Sequence, residues 1–308
     1  MTQVSATDVK NLRETTGAGM MACKKALEEC SGDFEKAIDY LRAKGLAAAA
    51  KKQGRIAAEG IVGALVQGTI GTIVEVNCET DFVAKNSDFQ KFVQDVSAHI
   101  VKNNPADLDV LKSQTLLGAK VTVNDAINEA TLKIGEKIDI RRFTTFKLNG
   151  SGKIGSYIHN GKIGVLVEMN TDKDVNSNAQ FNELVGDLCL HVAAADPRFL
   201  SASDIDESYK NREAEIYATQ LREQGKDEKM IPNIVKGKLN KLASEVCLLE
   251  QKFVKDPDQS IKQLVENVSK AIGAKITVAR FAKLNLGEGL EKKQDNLADE
   301  VAKMTNNL

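Results

Sequence analysis

The sequence predicts an α+β protein built on a duplicated unit, with a helical bundle before it, a helical hairpin inserted in it and a helix after it. Three observations carry this. The run IGTIVEVN at 70–77 recurs as IGVLVEMN at 163–170, an offset of 93, and the apolar pattern that follows matches Phe89 with Phe181 and His99 with His191 at 92. Further on, IGEKI and RF at 134–143 recur as IGAKI and RF at 272–281, an offset of 138. Self-similarity at fixed offsets marks a repeated structural unit. Finally, residues 1–45 and 201–246 carry apolar residues three and four apart between Gly breaks, which is helical spacing.

In chain order, Thr7 stands where it would cap a first helix carrying Val9 and Leu12, and Thr16-Gly17-Ala18-Gly19 ends it. Met20, Met21, Ala26 and Leu27 form a second helix; Ser31-Gly32-Asp33 opens a third, with Phe34, Ala37, Ile38 and Leu41, that closes at Gly45. Residues 1–45 thus read as a three-helix docking module resembling the ubiquitin-associated fold. Gly17-Ala18-Gly19 does not read as a phosphate loop, because no strand precedes it and no Lys-Ser/Thr follows. Met20 and Met21 lie about 100° apart on a helix, so a narrow core stripe leaves one of them exposed. Residues 46–60 are an Ala/Lys-rich helical linker whose Lys51, Lys52 and Arg55 read as a solvated face rather than an RNA contact.

The first core repeat spans 61–148 and the second 149–286, each reading as strand, strand, helix, connecting stretch, helix, strand, with helices on one face of a mostly antiparallel sheet. The jump in offset from 92 to 138 gives the second copy 46 additional residues. They fall at 201–246: one helix with Ile205, Tyr209, Ile216 and Leu221, a break at Gly225, then Ile231, Ile234, Val235, Leu239 and Leu242, an antiparallel hairpin. Residues 287–308 close the chain with a helix whose stripe is Leu290, Leu297, Val301 and Met304.

Composition narrows the function. With 42 Lys+Arg against 43 Asp+Glu, the formal charge is −1, and the overall basic footprint of a nucleic-acid binder is missing. A protein partner fits this balance better. Apolar runs stay below the length of a membrane span and the N-terminus MTQVSATDVK has neither signal nor transit character, so a cytoplasmic protein is expected. The five cysteines, Cys23, Cys30, Cys78, Cys189 and Cys247, are spread out with no C-x-x-C pair and read as reduced, buried thiols. His99, His159 and His191 are not at metal-site spacing, so neither a metal nor a cofactor is expected. Asp81, His159 and Cys78 are the one mixed set at strand ends, and no spacing among them demands a base and an orienting group in reach of a nucleophile. No catalytic residue is predicted.

The most informative stretch is IGTIVEVNCETDFVAKN at 70–86. A β-branched strand stops at the polar cluster Asn77, Cys78, Glu79, Thr80 and Asp81, and Phe82 and Val83 follow at the tip of a strand-to-helix turn. Local pattern admits two readings. Phe82 folds back as a staple on the next helix, or a rigid scaffold presents Asp81 and Phe82 outward as a wedge for a partner's pocket.

TDFVAKN after VNCET, together with LRETTGAGMMACKKAL near the N-terminus, resembles the bacterial elongation factor Ts family, the nucleotide-exchange factors of elongation factor Tu. The resemblance runs the length of the chain; the stretch at 103–120 looks longer than the family pattern. It implies a non-enzymatic translation factor that grips the nucleotide domain of elongation factor Tu through Arg13, Met20, Met21, Val254 and Met304. Thr80, Asp81, Phe82 and Val83 would enter beside the nucleotide site and dislodge Mg²⁺, so that GDP leaves and GTP rebinds. His159, in the G-S-Y-x-H hairpin, would be the family's second contact, on domain 3 of the partner. The alternative of another class is a docking or scaffold protein whose ubiquitin-associated-like module binds an unrelated helix or RNA.

Overall fold

A computed structural model of the protein describes residues 4–16, 18–52 and 54–291. Helix α1 (Ala6–Thr16) is capped by Ser5: its hydroxyl accepts the Asp8 N–H at 3.1 Å and its own N–H donates to the Asp8 carboxylate at 3.2 Å. Ser5 takes the cap from Thr7 because Asp8, three residues on, can reciprocate. Helix α2 (Met20–Glu29) and helix α3 (Phe34–Lys52) follow, and the Asp33 carboxylate accepts the Lys36 N–H at α3's start. The expected stop at Gly45 does not occur. Glycine inside a helix costs only about 1 kcal/mol, and Gly45 is buried facing Leu132, so packing on that face holds α3 on to Lys52.

The first repeat runs β1 (Glu59–Gln67), β2 (Ile70–Cys78), α4 (Asp81–Ala84), α5 (Ser87–Asn103), α6 (Leu108–Ser113), α7 (Val123–Ile134) and β3 (Asp139–Lys147). The second runs β4 (Gly152–His159), β5 (Ile163–Thr171), α8 (Ala179–Ala195), α9 (Glu207–Glu223), α10 (Ile231–Val246), β6 (Lys252–Phe253), β7 (Asp256–Ser260), α11 (Ile261–Ile272) and β8 (Ile276–Asn285). Sheet order is β1-β2-β3 in one case and β4-β5-β8 in the other. β4 and β5 are antiparallel, with Gly152 opposite Asn170 and His159 opposite Ile163. Bounds of equivalent elements repeat the sequence offsets: β2 and β5 at 93, α5 and α8 at 92, α7 and α11 at 138. α9 and α10 pack on each other around a turn where Gly225 takes φ +71°; Ile205 is buried just before α9 rather than within it.

Duplication extends to backbone detail. Gly60 and Gly152 take φ of +138° and +146°, and a Cβ on either would stand 2.1 Å from a carbonyl oxygen, that of Val76 or Met169. Only glycine fits so close an approach. Asn104 and Asp196, in the left-handed region at φ 45° and 50°, end α5 and α8.

By their contacts the described residues divide into two compact units, one holding those within 4–63, 74–143 and 285–291, the other 64–73 and 144–284. In the first unit, Leu12, Cys23, Leu27, Ala37 and Leu41 make the core of the N-terminal helices. A second core packs Val74, Val76 and Ile140 of the strands under Phe89, Val96 and Ile127 of α5 and α7. The other unit repeats this arrangement with Val165, Val167 and Val278 under Phe181, Val192 and Val265.

Within the first unit, the fully buried Glu75 ties three segments together. Its carboxylate accepts from Arg141 at 3.0 Å, from Arg142 Nε at 2.6 Å, from Asn77 at 3.2 Å and from the Gly287 N–H at 2.8 Å. Burial alone would push this carboxyl up; the Gly287 N–H and the two guanidiniums outweigh it and hold it below the ordinary carboxylate range. Glu75 therefore contributes stability that is fully present above the unfolded value near 4.3 and is lost as pH falls through its lower folded value. Urea unfolding followed against pH should show stability dropping below about pH 4.3, with a flatter limb in Glu75→Gln. Glu75→Ala, which leaves the guanidiniums without their counter-ion, should cost about 3–5 kcal/mol at pH 7.

Candidate protein-interaction site

The strand β2 ends at Cys78 because the next residues turn their polar groups onto Glu136, Lys137 and Arg55. The Glu136 carboxylate accepts the N–H groups of Glu79 and Thr80 at 3.0 and 2.9 Å and the Thr80 hydroxyl at 2.7 Å. The Glu79 carboxylate in turn accepts the Lys137 N–H at 2.6 Å and pairs with Arg55 at 3.2 Å. Arg55 keeps the exposed position expected on the linker face, its side chain 54% accessible, and from there also pairs with this loop. Thr80 then caps α4, accepting the Val83 N–H at 3.4 Å, and Asn86 caps α5. Two carboxylates, two caps and a guanidinium hold the eight residues from Glu79 to Asn86.

What this frame presents is Phe82, 79% exposed. Of the two readings the local pattern allowed, the staple fails for Phe82: Val83 turns inward and packs against the core of the first repeat, and takes that part. Asp81 is exposed and paired with Lys85 at 2.8 Å, whose ammonium lies 6.0 Å from the Phe82 ring centroid. An ion pair so exposed contributes little to stability.

The two repeats differ just here. Val83 and Val175 stand at the offset of 92 and both face their cores, whereas Phe82 meets Asp174 and, at 138, Glu136 meets Ala274. The first copy alone has both the exposed aromatic and the carboxylate that anchors its loop. That difference could be seen in the aligned repeats, and it is the signal by which Glu136 could have been found from sequence.

A family model described as elongation factor TS matches residues 79–288. The chain is 50% identical over 304 residues to an elongation factor Ts of Trichlorobacter lovleyi, covering 97% of each chain. It is 47% identical to those of Syntrophotalea carbinolica and Clostridium perfringens, each over 98% of this chain and 99% of the relative. The chain belongs to the elongation factor Ts family. It is a translation elongation factor.

The other residues expected at a contact surface are spread over elements that the fold positions separately. Arg13 on α1 is exposed, and Met20 and Met21 at the start of α2 are exposed by 59% and 74%. Both methionines face outward, rather than one, because Cys23, Ala26 and Leu27 already fill the core side of α2. His159 is exposed at the tip of the β4–β5 hairpin, where Asn160 and Gly161 take φ of 51° and 69° and the Lys162 N–H donates to the His159 carbonyl. Both central residues at positive φ suit a tight hairpin turn. The Tyr157 hydroxyl lies 3.0 Å from His159 Nδ1 and fixes the ring. Val254 is 43% exposed between β6 and β7. Met304, with Leu297 and Val301, lies outside the described residues.

Burial pushes the Cys78 thiol up to about 12, and it donates to the Thr80 carbonyl at 3.1 Å; a thiol so placed is no nucleophile at neutral pH. Among the described residues no cluster of three His, Cys, Asp or Glu side chains could hold a metal ion, and no helix is long and apolar enough to cross a membrane. A cavity of about 400 Å³ in the first unit is lined by Ile38, Leu41, Asn128 and Leu132, with Arg42 and Glu129 3.9 Å apart at its wall.

Glu136→Ala should leave the Glu79 and Thr80 N–H groups without their acceptor, at a cost of about 1–3 kcal/mol. Hydrogen exchange at residues 79–83 should rise while that of the sheet core stays as in the wild type. Unchanged exchange at 79 and 80 would mean that the caps alone hold the loop.

Proposed function

We propose that the protein is a guanine-nucleotide exchange factor that binds elongation factor Tu carrying GDP in the cytoplasm, displaces Mg²⁺ and releases GDP. The observation that carries the reading is Phe82, presented to solvent on a loop held by Glu136, Glu79 and Arg55. Ordering a loop before contact removes part of the entropic cost of binding. Phe82 wedges between elements of the GTPase beside its nucleotide site, while Asp81 leaves Lys85 and disturbs the polar network around Mg²⁺. Thr80 and Val83 set the register of the wedge. Arg13, Met20, Met21 and Val254, with Met304, hold the nucleotide domain, and His159 holds a second domain. The protein itself carries out no bond-making step and needs no cofactor.

Magnitudes limit what the wedge does alone. A tenfold gain in release needs about 1.4 kcal/mol, and burying one Phe returns roughly 1.5–3 kcal/mol. Phe82 therefore supplies about one or two decades, and the remaining contacts stabilise the nucleotide-free partner. Coupling is reciprocal: a factor that weakens nucleotide binding is itself bound more weakly by the nucleotide-loaded partner. Rebinding of nucleotide then releases the factor.

Release of a fluorescent GDP analogue from purified elongation factor Tu, chased with excess GDP, tests the proposal. Wild type should accelerate release by more than about tenfold, and Phe82→Ala, exposed and without cost to the fold, should lose roughly one decade of that gain. No acceleration by folded wild type would sink the exchange reading; acceleration that survives Phe82→Ala unchanged would remove the wedge alone.

A further inference from the structure

His99 and His191 are equivalent, fully buried side chains on α5 and α8, and neither is used by the proposed exchange step. Their surroundings are equivalent too. His191 Nε2 lies 3.0 Å from Gln251 Oε1, and His99 Nε2 lies 2.8 Å from Gln114 Oε1, the two glutamines being 137 apart. The Gln251 amide is oriented by its own Nε2, which donates to the carbonyls of Glu245 and Ala195 at 2.8 and 3.3 Å. Its Oε1 therefore faces the ring, and an oxygen that only accepts requires His191 Nε2 to carry the proton.

Nδ1 is then left as an acceptor. In the second copy it accepts the Val254 N–H at 3.3 Å; in the first it accepts the Leu117 N–H at 3.1 Å, with the Asn103 amide as a further donor at 3.0 Å. Val254 and Leu117 are again 137 apart, and both turn their side chains to solvent, 43% and 48% exposed. Burying an imidazole is costly unless both nitrogens are matched, and both copies match them in the same way, on the backbone of an exposed apolar residue. The preceding residues, Phe253 and Leu116, are buried in both. Each repeat thus anchors one apolar side chain inward and holds the next one outward. Burial presses the His191 imidazolium down against the opposing Gln251 bond, which keeps the acceptor form at neutral pH.

We infer that His191 and His99 are positioning residues for a pair of equivalent apolar tips, Val254 and Leu117, and that Leu117 is a contact for the same protein partner as Val254. The inference rests on the exchange reading above, since elongation factor Tu is the partner it names. A rigid tip binds without first being ordered, so the clamp raises affinity through the tip and makes no contact of its own.

Titration of nucleotide-free elongation factor Tu with the full chain gives the test. Val254→Ala and Leu117→Ala, both surface truncations, should each weaken binding by about 3–10-fold. His191→Ala should raise hydrogen exchange at the Val254 amide and weaken binding, and the double variant with Val254→Ala should bind no more weakly than the weaker single, since both act through one tip. If His191→Ala does not fold, ¹⁵N shifts of the wild-type histidines decide the clamp: Nδ1 unprotonated at pH 7 in both supports it, Nδ1 protonated overturns it. Wild-type affinity in both tip variants overturns the inference while the exchange reading stands. Losses that add in the double variant overturn the positioning role. A wild type that neither binds nor accelerates release fails the exchange reading and this inference with it.

Discussion

The carboxylate of Glu75, at no exposure to solvent, is the interaction on which the first unit depends. Desolvating a charge costs several kcal/mol, and attraction repays this only when the remaining lone pairs are also matched. Here they are: two guanidiniums, an amide and a backbone N–H converge on two oxygens. The donors come from β2, β3 and the segment after β8, so the pair fixes which stretch of distant chain lies over that strand. Arg142 reaches further, to the carbonyl of Asn285 at 2.9 Å and the Glu288 carboxylate at 3.1 Å. The second repeat has a reduced form of the same device, Glu168 with Arg280 at 2.7 Å, and there the guanidinium covers the Phe146 ring at 4.3 Å. Its value is specificity of arrangement more than net stability.

Upon that duplicated frame the two copies are used differently. Sheet, helix and histidine positions hold across the offsets because each copy must bury the same face. Loops are free of that demand. The first copy turns Phe82 outward on a loop held by Glu136; the second has Asp174 and Ala274 at those places and instead extends a helical hairpin of α9 and α10. The rigid part of the molecule therefore supplies position, and the side chains left exposed on it supply the chemistry of contact.

Much of this was legible in the residues. The offsets 93, 92 and 138 located the repeats and the inserted hairpin, because a repeat copies its burial pattern and burial is written in apolar spacing. The N-terminal helices followed from the same spacing, although Gly45 misled as a stop and Thr7 as a cap. In both cases the deciding partner was another residue, Leu132 for Gly45 and Asp8 for Ser5. The motif TDFV was recognisable as the diagnostic stretch, and its family is borne out by relatives of 45–50% identity.

The sequence by itself determined the repeated α+β plan, the placement of the hairpin and the family, since these depend on periodicity and on long runs of residues in order. Only the tertiary structure decided that Phe82 points outward while Val83 points inward, that Arg55 braces a loop, and that two buried histidines hold the backbone of Leu117 and Val254. Each of these pairs residues far apart in the chain or opposed across one turn. Local pattern carries no information on such pairings, because a side chain's direction is set by the surface against which its neighbour packs.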